Sequence, residues 1–97
     1  MAFKRWGCEF DGPWPNTDIL KQRKGIWVIW RKLGYQWDVI SVGESGNVRA
    51  SLTKPESVPS LPAEGGTIHY SATYTPRLSE ADRRKLASRI QKVSDHR

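Results

Sequence analysis

Apolar positions are densest in the stretch GIWVIWRKLGYQWDVISVGESGNVRASL, residues 25–52. Residues 26–30 and 37–42 are rich in tryptophan and β-branched side chains. Lys32, Leu33, Gly34 and Tyr35 separate them with a turn, so the segment reads as a β-hairpin spanning 25–42. In the first run Ile26, Val28 and Trp30 share one face, and Trp27 and Ile29 share the other. A strand that is apolar on both sides has to be covered on both sides, which predicts a central position in its sheet. Gly43 is expected to end the second strand. Val48 and Leu52, four apart, then give a short helix its apolar face.

The flanking segments carry weaker patterns. Residues 1–24 read as an N-terminal extension in which Phe3 to Phe10 suits a short edge strand. Pro13 and Pro15 argue against helix or central strand around them, and Trp14 between them reads as a lid on the sheet. Residues 53–66 contain three prolines and two glycines and form a loop. Residues 67–75 alternate, with Ile68, Tyr70, Ala72 and Tyr74 on one face and Thr67, His69, Ser71 and Thr73 on the other, which predicts a half-buried strand. Ser79 and Asp82 have capping-box spacing and open a helix over 79–93. Leu86, Ile90 and Val93 supply its apolar stripe, and Lys85, Arg89 and Lys92 line one flank. The predicted fold class is α+β: a small antiparallel sheet, made of the hairpin plus a third strand, packed with two helices in a single domain covering 1–97.

Composition narrows the chemistry. The chain has 97 residues, 37% of them hydrophobic, and five tryptophans, enough for one modest core. Cys8 is the single cysteine, so an internal disulfide and a cysteine zinc site are both excluded, and Cys8 reads as a plain structural thiol. His69 has no Cys, Asp or Glu at ligand spacing and reads as exposed or hydrogen-bonded rather than as a catalytic base. No apolar run is long enough to span a bilayer and no signal-peptide pattern follows Met1, so the expectation is a cytoplasmic setting without a membrane partner. The formal net charge is +6, which suits attraction to a polyanion if the cations gather on one surface.

Gly25-Ile26-Trp27, Ser41-Val42-Gly43 on the paired strand, and Asn47, Arg49 and Leu52 in the helix that follows resemble the GIY-YIG nuclease module. The resemblance continues more loosely through the later strand and the last helix. It implies two tyrosine-bearing tripeptides on adjacent strands of a small antiparallel sheet, an arginine on the first helix and a metal-binding glutamate on a later one. The chain departs from that pattern at each position. Trp27 and Ser41 stand where the family has tyrosine, Ser51 falls where its arginine lies, and Ala87 occupies the glutamate site. Indole has no hydroxyl to activate water, serine does not neutralise phosphate charge in a transition state, and alanine does not hold a cation. Neighbours do not replace them. Arg49 is two residues from Ser51 and points away from it, and Glu80 is about 10 Å along the helix from Ala87.

The resemblance therefore implies a catalytically degenerate GIY-YIG-like domain with no intact catalytic residue, no metal site and no cofactor. Its expected activity is weak, sequence-tolerant binding of DNA or RNA through Lys24, Arg49, Arg83, Arg84, Lys85 and Arg89, with Arg49, Lys85 and Arg89 near one another. One alternative is an active endonuclease with relocated catalytic groups, which would require Mg2+ or Mn2+. The other is a protein-interaction module that uses the Trp-rich hairpin or the proline loop to contact a protein partner.

Overall fold

The computed structural model describes residues 2–57, 59, 63 and 65–95. Five strands, β1 (Ala2–Arg5), β2 (Cys8–Trp14), β3 (Gly25–Leu33), β4 (Gln36–Ser45) and β5 (Thr67–Tyr74), form one antiparallel sheet in the order β1-β2-β5-β3-β4. Two helices, α1 (Val48–Leu52) and α2 (Glu80–Asp95), pack on it. The fold class is α+β, as the hydrophobic pattern predicts.

β3 lies between β5 and β4 and is covered on both faces. On one face Ile26, Val28 and Trp30 are buried with Phe10 and with Ala87 and Ile90 of α2. On the other, Ile29 is buried with Ala72, Leu20, and Val48 and Leu52 of α1, and Trp27 packs against this group. The two helices therefore sit on opposite faces of the same sheet. Asn47 caps α1 by accepting a hydrogen bond from the Ala50 N–H at 3.0 Å, and Ser79 Oγ accepts from the Asp82 N–H at 3.1 Å at the start of α2.

Four local expectations need correction. β4 does not stop at Gly43 but continues to Ser45. Trp27 pairs directly with Gly43, and a Cβ at residue 43 would overlap the indole ring of Trp27. The glycine is thus an in-register strand residue whose missing side chain makes room for the tryptophan. A register shift between Ile29 and Trp30 leaves Ile40 as the extra residue of a bulge in β4.

The N-terminal segment is a hairpin integral to the sheet, and β2 is an interior strand. Trp6 (φ 52°) and Gly7 (φ 77°) make its tight turn, both in the left-handed region that suits a two-residue hairpin loop. Tryptophan is uncommon there. Its ring stacks on Trp30 with centroids 5.6 Å apart, a contact that favours this conformation. Pro13 is accommodated because the β2–β5 pairing is irregular between Asp11 and Trp14, where no ladder bond is asked of it.

The polar face of β5 is covered as well. Ser71 and Thr73 are buried, and Ser71 Oγ accepts a hydrogen bond from Trp30 Nε1 at 2.8 Å. His69 is half-buried with its ring edge-on to Trp37 at 4.9 Å. Finally, the buried stripe of α2 is Arg83, Ala87, Ile90 and Ser94, whereas Val93 is 48% exposed. The small side chains at residues 87 and 94 suit a helix lying close to the sheet. The proline loop is described only in part, with Pro55–Ser57 in a single 3-10 turn, and residues 58, 60–62 and 64 lie outside the described set. A frayed tail over residues 95–97 is the expectation from sequence, but α2 continues through Asp95, and residues 96–97 also lie outside the described set.

The Trp27–Gly43 contact makes a direct prediction. Gly43→Ala should cost about 1–3 kcal/mol through overpacking. In a Trp27→Val background the same change should cost well under half as much, because the overlap is gone. Urea unfolding of the four proteins measures both values. Equal costs in the two backgrounds would show that Trp27 is not what excludes a side chain at residue 43.

Candidate nucleic-acid interface

The four positions singled out by family resemblance do not converge. Trp27 is half-buried over Gly43, and Ser41 pairs with Ile29, so both lie on the α1 face. Ser51, in α1, is held by structural hydrogen bonds. Its Oγ is 2.6 Å from Ser45 Oγ, and its carbonyl accepts from Ser57 Oγ at 2.7 Å. Ser45 Oγ also accepts from the Asn47 N–H at 2.9 Å, so these contacts pin the β4–α1 corner. Ala87 is buried on the opposite face, against the cluster of Ile26, Val28 and Trp30. Among the described residues no group of three His, Cys, Asp or Glu side chains gathers to hold a metal ion.

The cations proposed from sequence separate into three environments. Arg83 is 6% exposed. Its Nε donates to Glu44 Oε2 at 3.0 Å and its Nη1 to the Leu78 carbonyl at 3.1 Å. It ties the first turns of α2 to the end of β4 and offers little charge to a partner. Arg49 belongs to α1, and Lys24 lies in the loop that leads into β3. The Arg23 carbonyl accepts from the Val48 N–H at 3.0 Å and the Lys24 carbonyl from the Thr75 N–H at 2.9 Å, which fixes the basic loop beside the start of α1. Arg49 is thus on the far face of the sheet from Lys85 and Arg89. The expectation that the three lie together fails because the two helices cover opposite faces.

Arg84, Lys85 and Arg89 do come together. With Ser88 and Lys92 they line one open groove along the solvent side of α2. Arg84 is partly neutralised, 2.6 Å from Glu80 Oε1 and 3.8 Å from Glu44 Oε1. Lys85, Arg89 and Lys92 form no ion pair among the described residues. Their spacing of four and three residues makes a continuous stripe on one helix face.

The strand residues beneath α2 add to this asymmetry. The side chains sharing the face of Ile26, Val28 and Trp30 include one sheet carboxylate among the described residues, Glu44, and it is engaged by Arg83. Arg5 and Lys32 share the same face and stand over aromatic rings. The Arg5 guanidinium is 5.0 Å from the Trp6 centroid and 5.4 Å from that of Trp30, and Lys32 Nζ is 5.4 Å from that of Trp37. Sequence reasoning did not reach these two cations. The available signal was the interleaving of basic and aromatic residues in Phe3-Lys4-Arg5-Trp6 and Trp30-Arg31-Lys32.

The α1 face is chemically different. Arg31 and Asp38 pair there at 2.9 Å, and Asp11 lies alongside Ala72. Burial pushes the Tyr74 phenol above its ordinary value. The hydrogen bond its oxygen accepts from the Lys21 N–H, at 2.8 Å, opposes that shift. Comparison with protein-family models, with curated proteins and with solved structures returned no match.

Arginines in the two environments should respond oppositely to removal. Arg83→Met leaves the partly buried Glu44 with only the exposed Arg84, 3.8 Å away, and should destabilise the fold by about 2 kcal/mol. Arg89→Ala touches no such pair and should stay within about 0.5 kcal/mol of the parent. Thermal or urea unfolding compares them. Similar stability of the two variants would remove Arg83 from its structural role.

Proposed function

We propose that this chain is a noncatalytic nucleic-acid-binding domain, a degenerate relative of the GIY-YIG nucleases that contacts phosphates through α2. The observation carrying the reading is the stripe of Lys85, Arg89 and Lys92, three cations without a carboxylate partner among the described residues, on the exposed side of one helix. Such a stripe attracts a polyanion and releases its counterions on contact, whatever the base sequence. The kinship is supported by the hairpin that pairs Gly25-Ile26-Trp27 with the strand bearing Ser41-Val42-Gly43 and by α1 directly after it. The loss of catalysis is supported by the side chains at residues 27, 41, 51 and 87 and by their division between two faces.

A second reading, contact with a protein partner, draws on the tip of the β3–β4 hairpin. Tyr35 there is fully exposed and Leu33 partly so. Single exposed apolar side chains are ordinary, however, and the tip is small.

Fluorescence anisotropy with a labelled single-stranded DNA, repeated across a salt series, tests the leading reading. The three α2 contacts should contribute about −2 to the slope of log affinity against log salt, since each contributes about −0.7 on single strands. Lys85→Ala, Arg89→Ala and Lys92→Ala should each flatten the slope by about 0.7, and Arg49→Ala should leave it unchanged. No binding at low salt would put the protein-contact reading in front. DNA incubated with the protein and Mg2+ or Mn2+ should stay intact, as it does with a chelator. Metal-dependent cleavage would instead establish an active endonuclease.

A further inference from the structure

Phe3, Arg5, Pro13, Trp30 and Trp37 enclose a cleft of about 170 Å3 on the same sheet face as α2. The cleft is built from groups that hold one another in place. Trp30 is buried at its base with its Nε1–H committed to Ser71, and Trp6 stacks on it. Phe3 stands edge-on to Trp30 at 6.2 Å and stacks on Phe10 at 5.4 Å. Trp37 is edge-on to Trp30 at 6.3 Å, with His69 against it. Its shape therefore does not have to be assembled when a ligand arrives, which limits the ordering cost of binding.

Size and charge define the occupant. A pocket for a drug-sized molecule occupies roughly 300–1,000 Å3, so this one admits a single flat ring system rather than a whole ligand. Its walls are aromatic rings and a proline, which stack on flat rings without regard to their substituents. A cationic guest is opposed by Arg5, which lines the cleft, and by Lys32 over Trp37. The one sheet carboxylate described on this face, Glu44, is paired with Arg83. The complementary ligand is a flat ring carried on an anionic chain.

We propose that the cleft holds an unpaired nucleobase of a single-stranded nucleic acid, with the flanking phosphates against Arg5 and Lys32. This rests on the nucleic-acid reading of α2 and specifies its substrate as single-stranded. A planar guanidinium such as that of Arg5 can both stack on the base and contact a phosphate, which a lysine there would not do. The base is the element that adds affinity beyond charge, because every nucleobase has a stacking face.

The test compares two labelled oligonucleotides of about ten residues, a length that small single-strand-binding domains cover. One is oligothymidine and the other is an abasic chain with the same phosphates and no bases. With the intact protein, oligothymidine should bind about tenfold more tightly and should quench tryptophan fluorescence, while the abasic chain binds by charge alone. In the Trp37→Ala variant the preference should vanish, with oligothymidine and the abasic chain bound equally. Arg89→Ala should weaken both by the same factor. Equal affinity of the intact protein for the two chains, at whatever strength, overturns the base-binding proposal. If both still bind with a steep salt slope, the charge-based reading of α2 stands alone. If neither binds, both fail. Quenching by a proline-rich peptide without any response to oligothymidine would assign the cleft to a peptide and overturn the proposal as well. The comparison on the intact protein decides the outcome even if the Trp37 variant does not fold.

Discussion

β3 buries apolar side chains on both of its faces, and the rest of the molecule follows from that requirement. Ile26, Val28 and Trp30 need one cover and Trp27 and Ile29 another. A chain this short meets both needs by sending one helix to each side. α1 is only five residues long, so Leu20 and the aromatic residues Trp14, Tyr70 and Tyr74 complete its layer. α2 covers the β3–β4 side of the other layer, and the N-terminal hairpin supplies Phe3, Trp6 and Phe10 beside it. The aromatic cleft lies where the cover changes from helix to hairpin.

The same arrangement sorts the charge. With the helices on opposite faces, cations that look interchangeable in sequence acquire different work. Arg83 is spent on joining α2 to β4 through Glu44, a pair separated by 39 residues. Arg49 goes to the α1 side, where Arg31 is paired with Asp38. Lys85, Arg89 and Lys92 are left on the α2 side, in the company of Arg5 and Lys32. The excess charge thus has a direction that the net value of +6 does not convey.

Much of this fold is legible in the sequence where the pattern is strong and local. The two-sided run of β3, the alternation of β5, the four-residue spacing of Val48 and Leu52 and the Ser79 cap each predict the element that forms. What is not legible depends on contacts between distant residues. The first hairpin turns at Trp6-Gly7, without the Asn-Gly or Asp-Gly signal that marks such turns, and is supported by Trp30 on another strand. Pro13 looks incompatible with an interior strand until the irregular pairing with β5 is known. The buried stripe of α2 uses Arg83, Ala87 and Ser94, residues a hydrophobicity pattern passes over, in preference to the more apolar Val93. The candidate site was half readable for the same reason. The α2 stripe follows from helical spacing, whereas the convergence of Phe3, Arg5, Pro13, Trp30 and Trp37 requires four strands to be placed first.

The central claim is that one face of the sheet, carrying α2 and the aromatic cleft, engages single-stranded nucleic acid while the α1 face stands apart. Proton–nitrogen NMR spectra recorded during titration with oligothymidine test it most directly, because they report each backbone amide and each tryptophan indole N–H separately. The account predicts shifts at the indole of Trp37 and at the amides of Arg5, Lys32, Lys85, Arg89 and Lys92, with Trp27, Arg49 and the α1 amides unmoved. Shifts confined to α1, Lys24 and Arg49 would contradict it, and so would a spectrum that does not change at all.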